Sequence, residues 1–344
     1  MDSRRHPRFI AYALVCIGVL APALGHAKFE KSVALCKSAT TEQTATLNEL
    51  ARIVEINLTG RNCADLYKKL AKKNELVLTK SRDLQDLTPL RELTHVTALT
   101  LSKNKIDDLT PIAGLKKLKS LTADHNMLRD ISTIQNFKNL SDLDVSDNPI
   151  TDIAVISKLR GLKTLFVNNL KSTDSMAMPL NIGPLATLTK LKFLALSNNG
   201  ITDISPLSGL TNLESLNLAN NNIANLSPVS MLSSIRNLNI AANQITDIKS
   251  LQPLTQLEAL MAAHNKITDI SPLSQLANLI DVDISHNALT DIAPLKRNPN
   301  LNGKSGLSLN VRNNPLRDCS AKTVAELQSG KHCARIPAAQ AEAK

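Results

Sequence analysis

The sequence predicts an α/β repeat solenoid, with a curved parallel β-sheet on its concave face, short 3₁₀ or extended segments on its convex face, and small helical caps stapled by disulfides. Two observations carry this prediction. An aliphatic pattern recurs every 22 residues through most of the 344-residue chain. The chain also has no Trp, two Tyr and five Phe, so its core has to be a regular aliphatic lattice rather than a mixed core rich in rings.

The repeats occupy residues 74–318 and form about ten to eleven units. A degenerate unit centred on Leu76 and Leu78 comes first. Two intervals exceed the common spacing, 29 residues from Val167 to Leu196 and 27 residues from Ile284 to Val311, and the first of them makes residues 162–190 a long unit. The regularly spaced strand positions are Leu101, Ala123, Val145 and Val167, then Leu196, Leu218, Ile240, Ala262 and Ile284.

One unit reads L-x-x-L-x-L-x-x-N-x-I-x-x-I-x-P-L-x-x-L, as in residues 213–232. Its L-x-L stretch predicts a short strand with both aliphatic side chains on one face, and the later Ile and Leu line the same core from the convex side. This pattern resembles the leucine-rich-repeat family in its bacterial, internalin-like form. The resemblance implies a stack of parallel strands, a concave binding face, and adhesion or recognition of a protein partner.

Two polar positions of the unit are predicted to be structural. An Asn lies where the chain turns off the sheet, and its amide can donate to and accept from backbone groups of the turns above and below. An Asp recurs four residues later, where it can cap the next turn. The Asn residues are Asn104, Asn126, Asn148, Asn199, Asn221, Asn243, Asn265, Asn287 and Asn314, and the Asp residues are Asp108, Asp130, Asp152, Asp203, Asp247, Asp269 and Asp291.

The two ends predict a leader and two caps. Residues 1–27 combine a basic start, an apolar stretch and small residues at a cleavage site, as a secretory signal peptide does; a retained N-terminal anchor is the alternative. Residues 28–73 predict an N-terminal cap with helices over 40–55 and 63–73. Residues 319–336 predict a C-terminal cap, and residues 337–344 a disordered tail. No membrane span is expected in the mature chain.

Four Cys follow residue 27, and an even number indicates disulfides in an exported protein. Two of them precede the repeats and two follow, so only the pairs Cys36–Cys63 and Cys319–Cys333 are local at both ends. A bond between the ends would have to cross the whole solenoid. A zinc site is disfavoured for the same reason.

The sequence indicates no catalytic site. It lacks G-x-S-x-G, H-E-x-x-H, a P-loop and G-x-G-x-x-G, so we expect a non-enzymatic protein without a cofactor or a metal. His264 and His286 occupy the same position in adjacent units, with Asp283 on the same face. They could form a metal site, a pH-sensing pair or a hydrolase centre, but solvated polar side chains are the simpler interpretation.

We expect a partner to bind the concave face near two aromatic residues. Phe166 and Phe193 interrupt an otherwise small and polar face in adjacent units, and exposed rings are favoured at binding hot spots. Ala195 and Met261 could extend this apolar surface. The long unit places a loop, residues 168–179, at the same place, where it either contacts the partner or folds over both rings.

Charge leaves a second function open. Asp142, Asp144, Asp147 and neighbouring Asp124 form an acidic spot on the sheet, which could be a rim for a basic partner or a cation site, although a solvated face is the simpler interpretation. The net charge is +10, so an electrostatic binder of anionic polymer or lipid headgroups is the alternative. The leading prediction is a monomeric, exported module in the periplasm, on the outer surface or secreted, which binds a protein and not nucleic acid. Its predicted partner-binding residues are Phe166, Phe193, Ala195, Met261, Asp142, Asp144, Asp283, His264 and His286.

Overall fold

The computed structural model describes residues 29–58, 62–79, 83–170, 179–298 and 308–316. The predicted signal peptide, the C-terminal cap with its Cys319–Cys333 pair, the tail, and residues 171–178 of the predicted loop lie outside the described residues. Within the ranges given, no helix has both the length and the apolar character needed to cross a bilayer.

Eleven parallel strands form one sheet in the described residues, and each strand pairs with the next one along the chain. Every strand has three residues, and its middle residue is a buried Leu or Val that faces the core. Pairing joins equivalent positions, such as Leu76 with Leu99, so each coil repeats the one before it. The strands are β1 (Glu75–Val77), β2 (Ala98–Thr100), β3 (Ser120–Thr122), β4 (Asp142–Asp144), β5 (Thr164–Phe166), β6 (Phe193–Ala195), β7 (Ser215–Asn217), β8 (Asn237–Asn239), β9 (Ala259–Met261), β10 (Asp281–Asp283) and β11 (Ser308–Asn310).

The convex side carries short 3₁₀ helices, as the sequence predicts. Pro206, Pro228 and Pro272 each lie at the start of one of these helices, where a missing N–H removes no hydrogen bond and the fixed φ suits the turn. The described 3₁₀ helices are Thr88–Leu90, Thr110–Ile112, Ser132–Asn136, Ala154–Lys158, Gly183–Thr187, Ser205–Leu207, Ser227–Met231, Lys249–Leu251, Ser271–Gln275 and Ala293–Arg297.

The recurring Asp caps these 3₁₀ turns. The Oδ1 atom of Asp203 accepts a hydrogen bond from the Ser205 N–H at 2.8 Å, and the bonds from Ser205 lower the pKa of the Asp203 carboxyl. Asn225 makes the same bond in the following repeat. The predicted capping role is therefore confirmed, and the equivalent acceptors are Asp108, Asp130, Asp152, Asp247, Asp269 and Asp291.

One continuous aliphatic core runs from the N-terminal cap to the last described strand. Phe137 occupies a position that holds Leu in most repeats and is fully buried. Because the aliphatic side chains of each coil pack on those of the next, every coil depends on its two neighbours for a dry interior. The predicted repeat solenoid is confirmed.

Three helices cover the N-terminal end of this core: α1 (Glu30–Lys37), α2 (Thr41–Ile53) and α3 (Cys63–Leu70). The sequence predicts α2 and α3. A capping box starts α2, in which Thr40 and Gln43 exchange hydrogen bonds at 3.1 and 3.3 Å. The predicted disulfide between Cys36 and Cys63 is present, with 5.9 Å between the two Cα atoms.

Helix α1 is absent from the sequence-based prediction, because only Ser32 and Cys36 of its eight residues are buried, so no periodic apolar face marks it. Distant contacts hold it in place. The Phe29 ring stacks on Tyr67 with 5.6 Å between centroids, and the Ser32 N–H donates to Glu92 Oε2 at 2.7 Å. The Tyr67 hydroxyl in turn donates to the Pro89 carbonyl at 2.9 Å, which fixes the cap to the first repeats.

Candidate functional site on the concave face

Nine Asn side chains lock the turns that follow the strands, and Asn221 shows the pattern. Its Nδ2 donates to the carbonyl oxygens of Leu196 and Leu218 at 3.0 and 2.9 Å. Its Oδ1 accepts from the Ile201 N–H at 3.0 Å. These bonds reach both its own coil and the preceding one, so the column of Asn gives the concave face a rigid base. The same pattern is made by Asn104, Asn126, Asn148, Asn199, Asn243, Asn265, Asn287 and Asn314.

The turn position immediately before the Asn is left-handed, with φ between 50° and 60°. In the long unit Leu170 replaces the Asn, but the preceding residue keeps this conformation. Asn, Asp and His tolerate it better than other residues with a Cβ; Lys103 and Ala242 show that the turn itself imposes it. The side chains form a row beside the strands: Lys103, His125, Asp147, Asn169, Asn198, Asn220, Ala242, His264, His286 and Asn313.

This row brings His264 and His286 together, with 4.0 Å between ring centroids and 14° between ring planes. The Nε2 atom of His286 lies 2.7 Å from Asn313 Nδ2. Asp283 bonds elsewhere, accepting from Asn310 Nδ2 at 3.1 Å. In the part of the chain that the structure describes, no three His, Cys, Asp or Glu side chains gather as a metal would require. The two rings form a stacked pair to which Asp283 does not bond.

Phe166 and Phe193 lie on neighbouring strands but not directly opposite each other. The register pairs Phe166 with Ala195 and Phe193 with Thr164, so the two Phe positions are diagonal neighbours, near enough for their rings to contribute to one surface. Both side chains are half-buried, and Ala195 is 9% exposed. They provide a shallow apolar surface rather than protruding rings.

Larger apolar exposures occur at residues that the sequence analysis did not single out. Val77 and Ile280 are each 52% exposed, Met127 is 56% exposed and Met231 is 60% exposed. Val77 is the third residue of β1, the position that Phe166 holds in β5, so the repeat alignment carried a signal for it. These side chains are dispersed over the molecule, and isolated apolar side chains of this kind are ordinary.

Asp142 and Asp144 are the two outer residues of β4. Asp144 Oδ1 accepts from the Ser146 N–H at 2.9 Å, a bond that lowers its pKa. Burial outweighs that effect and raises the pKa of the Asp144 carboxyl to about 6, and the nearby carboxylates of Asp124 and Asp147 add to the rise. Part of the acidic spot therefore titrates close to neutral pH.

His125, which the sequence analysis overlooked, sits between two of these acids. Its Nδ1 lies 2.7 Å from Asp124 Oδ2, and its Nε2 lies 3.5 Å from Asp147 Oδ2. Asn169 Nδ2 also donates to Asp147. His125 shares the turn position of the two stacked His residues, so the repeat alignment held the signal that identifies it.

The predicted partner-binding residues fall into two groups on the sheet. One group spans three consecutive strands, β4 to β6, and the other belongs to β9, β10 and the turns that follow them. The strands β7 and β8 between them present only Ser and Asn at their outer positions. The first group is Asp142, Asp144, Phe166, Phe193 and Ala195, and the second is Met261, His264, Asp283 and His286.

Parts of the chain match two known families of repeats. The family described as "Leucine Rich repeats (2 copies)" matches residues 189–231, 211–253, 233–275 and 255–297, and the family described as "Leucine Rich repeat" matches residues 138–157. The chain is similar to the internalin InlF from Listeria monocytogenes, at 28% identity and a TM-score of 0.71, over 83% of this chain and 79% of that one. Residues 138–157 and 189–297 are thus leucine-rich repeats, and the chain is similar to an internalin.

Two further solved structures share this repeat fold. InlJ from Listeria monocytogenes is 21% identical with a TM-score of 0.53, over 82% of this chain and 71% of that one. A plant peptide hormone receptor, RGFR1 in complex with RGF2, is 20% identical with a TM-score of 0.58, over 78% of this chain and 45% of that one. No curated protein matches by sequence. The internalin-type repeats support a scaffold for protein recognition.

Proposed function

We propose that this protein is an exported, non-catalytic scaffold that binds a protein partner on its concave face. The proposed docking patch consists of Asp142, Asp144, Phe166, Phe193 and Ala195. One observation carries the proposal: the aromatic and acidic side chains of this patch lie on three consecutive strands of a rigid sheet.

The register explains why these side chains act together. Asp144 pairs with Phe166, and Phe166 pairs with Ala195. Adjacent strands lie about 4.8 Å apart, so the docking patch spans roughly 10 Å across the sheet. A surface of this width accommodates a few side chains of a partner, which is the scale of a binding hot spot within a larger interface.

The chemistry of the docking patch favours a basic and partly apolar segment of the partner. An Arg side chain can lie over a ring face and bond a carboxylate with the same guanidinium group. Asp144 lies beside Phe166 in the register, so both contacts are offered on neighbouring strands. Because the pKa of Asp144 is about 6, the negative charge that attracts such a segment is fully present only above that pH.

The loop over residues 168–179 is proposed to border the docking patch. Its described start is anchored, because Asn168 Oδ1 accepts from the Ser197 N–H at 2.9 Å and the Leu170 N–H donates to Asn199 Oδ1 at 2.9 Å. The loop leaves the sheet directly after Phe166 and returns before Phe193. The loop therefore either contacts the partner or covers the rings, and a variant with residues 171–178 deleted separates these roles.

The second group, Met261, His264, Asp283 and His286, is proposed as an outer contact for the same partner. It lies on and after β9 and β10, so a partner that reaches both groups must extend over about 29 Å, six strand intervals of about 4.8 Å each. No reaction is assigned to the stacked His pair. A partner that contacts only the docking patch would leave this group free.

Export is part of the proposal. The Cys36–Cys63 disulfide supports it, because disulfides persist in oxidising compartments and are rare in the cytosol. The order of basic, apolar and small residues over 1–27 adds support from the sequence. Cross-linking on intact cells of the source organism, followed by identification of the captured protein, tests the compartment and the partner together.

The decisive variant is Phe166→Ser/Phe193→Ser, compared with Val77→Ser/Ile280→Ser. Each removes two large apolar side chains, and the control pair lies outside the docking patch and is more exposed. We expect the first variant to lose the cross-linked partner and the control to retain it. Melting curves verify that both variants are folded.

Equal capture by both variants would contradict the docking patch. If the rings are covered by the loop, the Phe variant should instead lower the melting temperature and leave capture unchanged. A third variant with residues 171–178 deleted separates the roles of the loop, since deletion of a covering loop strengthens capture and deletion of a contacting loop weakens it.

A further inference from the structure

A second charged surface lies on the opposite edge of the sheet, where the chain enters the strands. Exposed cations from four consecutive repeats, those of β3 to β6, line this edge. We name six of them the basic ridge: Lys116, Lys119, Lys138, Arg160, Lys163 and Lys190. The repeat spacing of 22 to 29 residues separates them in the sequence, and the stacking of coils brings them side by side.

Backbone hydrogen bonds fix the spacing of the ridge. The Ser141 N–H donates to the Lys119 carbonyl and the Lys163 N–H donates to the Ser141 carbonyl, both at 2.8 Å. Lys119 and Lys163 therefore lie two strands apart, about 10 Å along the edge. Another line of cations, which begins at Lys116, runs beside Lys119 and Lys163. There Asn139 Nδ2 donates to the Lys116 carbonyl at 3.0 Å, which joins two neighbouring repeats.

The cations of the basic ridge lack acidic partners. Within the ranges that the structure describes, none of the six lies within 4.0 Å of a carboxylate oxygen. Beside them in the β6 repeat, Lys192 pairs with Glu214 of the next repeat at 2.7 Å, and further along Arg236 pairs with Glu258 at 2.5 Å. Acidic partners thus neutralise this edge from Lys192 onwards, whereas the six cations of the basic ridge have none.

We infer that the basic ridge binds a linear polyanion, a chain bearing phosphate or sulfate groups every few ångströms. Cations held this close repel one another, and a polyanion that binds them releases condensed counterions. The ridge is narrow, because its cations come from a stretch of four residues in each repeat, and it is roughly 15 Å long; Asp142 borders it on the concave side. A flat anionic bilayer would meet that acid as well, whereas a single chain follows the ridge and avoids it.

This inference does not depend on the docking patch. The ridge occupies the edge where the strands begin, and it contains none of the residues proposed to contact the protein partner. A failure of either proposal leaves the other standing, because each is tested with different substitutions and different probes.

The test measures binding of long-chain inorganic polyphosphate, with heparin as the sulfated probe, to the mature chain over a series of salt concentrations. The ridge variant is Lys119→Gln/Lys163→Gln/Lys190→Gln. The control, Arg129→Gln/Lys249→Gln/Lys266→Gln, removes the same charge from exposed positions elsewhere. We expect the ridge variant to bind about tenfold or more weakly at low salt, with the slope of log K against log salt reduced by about 2, and the control to bind like the wild type.

Three outcomes would overturn the inference. Equal weakening in both variants would mean that only net charge attracts the polymer. Absence of binding to polyphosphate and to heparin at low salt would remove the ligand class. Tighter binding to phosphatidylglycerol vesicles than to either polymer would assign the ridge to a membrane surface instead. A preference for one polymer over the other distinguishes phosphate from sulfate as the natural anionic group.

Discussion

The amide of Asn221 joins two consecutive coils, because its Oδ1 accepts from the Ile201 N–H at 3.0 Å while its Nδ2 donates to the Leu218 carbonyl at 2.9 Å. Ile201 belongs to the preceding coil and Leu218 to the same coil. One side chain therefore satisfies buried backbone groups on both sides of a coil boundary. Since the concave face rests on a column of such bonds, its geometry is set by the column rather than by the outward side chains.

Replacing Asn221 with Ala should destabilise the protein by about 3 kcal/mol or more, because each buried backbone group left unsatisfied costs about 1–3 kcal/mol. The N–H groups of Asn199 and Ile201 lose their acceptor in this variant, and the carbonyls of Leu196 and Leu218 each lose one of two Asn donors. Urea denaturation followed by circular dichroism measures the loss. The matched control is Asn222→Ala, at the exposed neighbouring position where another repeat has Ala288.

The control should change stability by no more than about 0.5 kcal/mol, as surface substitutions usually do. Similar losses in the two variants would show that the Asn column does not hold the turns. A reduced denaturant slope in Asn221→Ala would show in addition that the coils no longer unfold together, as expected when a coil boundary is weakened in a repeat protein.

A carboxylate on the concave face should make stability depend on pH. The pKa of Asp144 is about 6 in the folded protein, raised from its ordinary value. Below about pH 4 the Asp144 carboxyl is protonated in both the folded and the unfolded state, so it does not affect the free energy of unfolding there. As the pH rises from about 4 to about 6, the unfolded carboxyl ionises while the half-buried one stays protonated, so stability falls and then levels off above about pH 6.

Asp144→Asn should therefore stabilise the protein at about pH 7.5 and have little effect at about pH 4. The gain is of order 1–2 kcal/mol, since one pKa unit corresponds to about 1.4 kcal/mol and partial exposure reduces the full value. The Asn side chain can keep the local hydrogen bond, because Asn217 and Asn239 make the same bond in two other repeats. Denaturation at both pH values measures the change.

Asp203→Asn is the control for this pH effect. Asp203 makes a similar turn bond, but the pKa of its carboxyl is lowered, so its ionised form stabilises the fold above its ordinary pKa and that stabilisation is lost as the pH falls. The control should therefore lose stability at neutral pH, in the opposite direction to Asp144→Asn. Equal changes in stability with pH in the two variants would exclude burial of Asp144 as the cause of the pH dependence.

The repeat architecture follows from the sequence because its determinants are local and periodic. Aliphatic alternation predicts the strands, and an Asn such as Asn221 follows each strand at a fixed distance. A Pro such as Pro206 marks the start of a 3₁₀ turn. The pairing of Cys36 with Cys63 also follows, since the solenoid keeps the two ends apart. Each of these features repeats or depends on neighbours along the chain.

Other features depend on contacts between residues that are far apart in the sequence, so local patterns do not predict them. Helix α1 has weak local signals and is held by Phe29 on Tyr67 and by Glu92. The half-buried state of Phe166 depends on what flanks it across the sheet. The basic ridge emerges only when residues of different repeats, such as Lys119 and Lys163 on either side of Ser141, are placed next to each other. Periodicity gives the register but not the environment of each surface position.

Removal of the Cys36–Cys63 disulfide should loosen the N-terminal cap before the repeats. The bond closes a segment of 27 residues, for which loop-closure entropy gives a stabilisation of about 3–4 kcal/mol. Tyr67 is the only Tyr after residue 27, and the chain has no Trp. Tyr67 is buried in the cap, so its fluorescence reports on the cap alone, while far-ultraviolet circular dichroism is dominated by the repeats.

In Cys36→Ser/Cys63→Ser, the Tyr67 fluorescence transition should move to lower denaturant than the circular dichroism transition, whereas the two should coincide more closely in the wild type. Reductant should reproduce the effect in the wild type and leave the Tyr67 transition of the variant unchanged. A Tyr67 midpoint that stays in place without the disulfide would mean that packing of α1 and the Tyr67–Pro89 bond are sufficient to hold the cap. The N-terminal cap would then seal the aliphatic core through those contacts rather than through the disulfide.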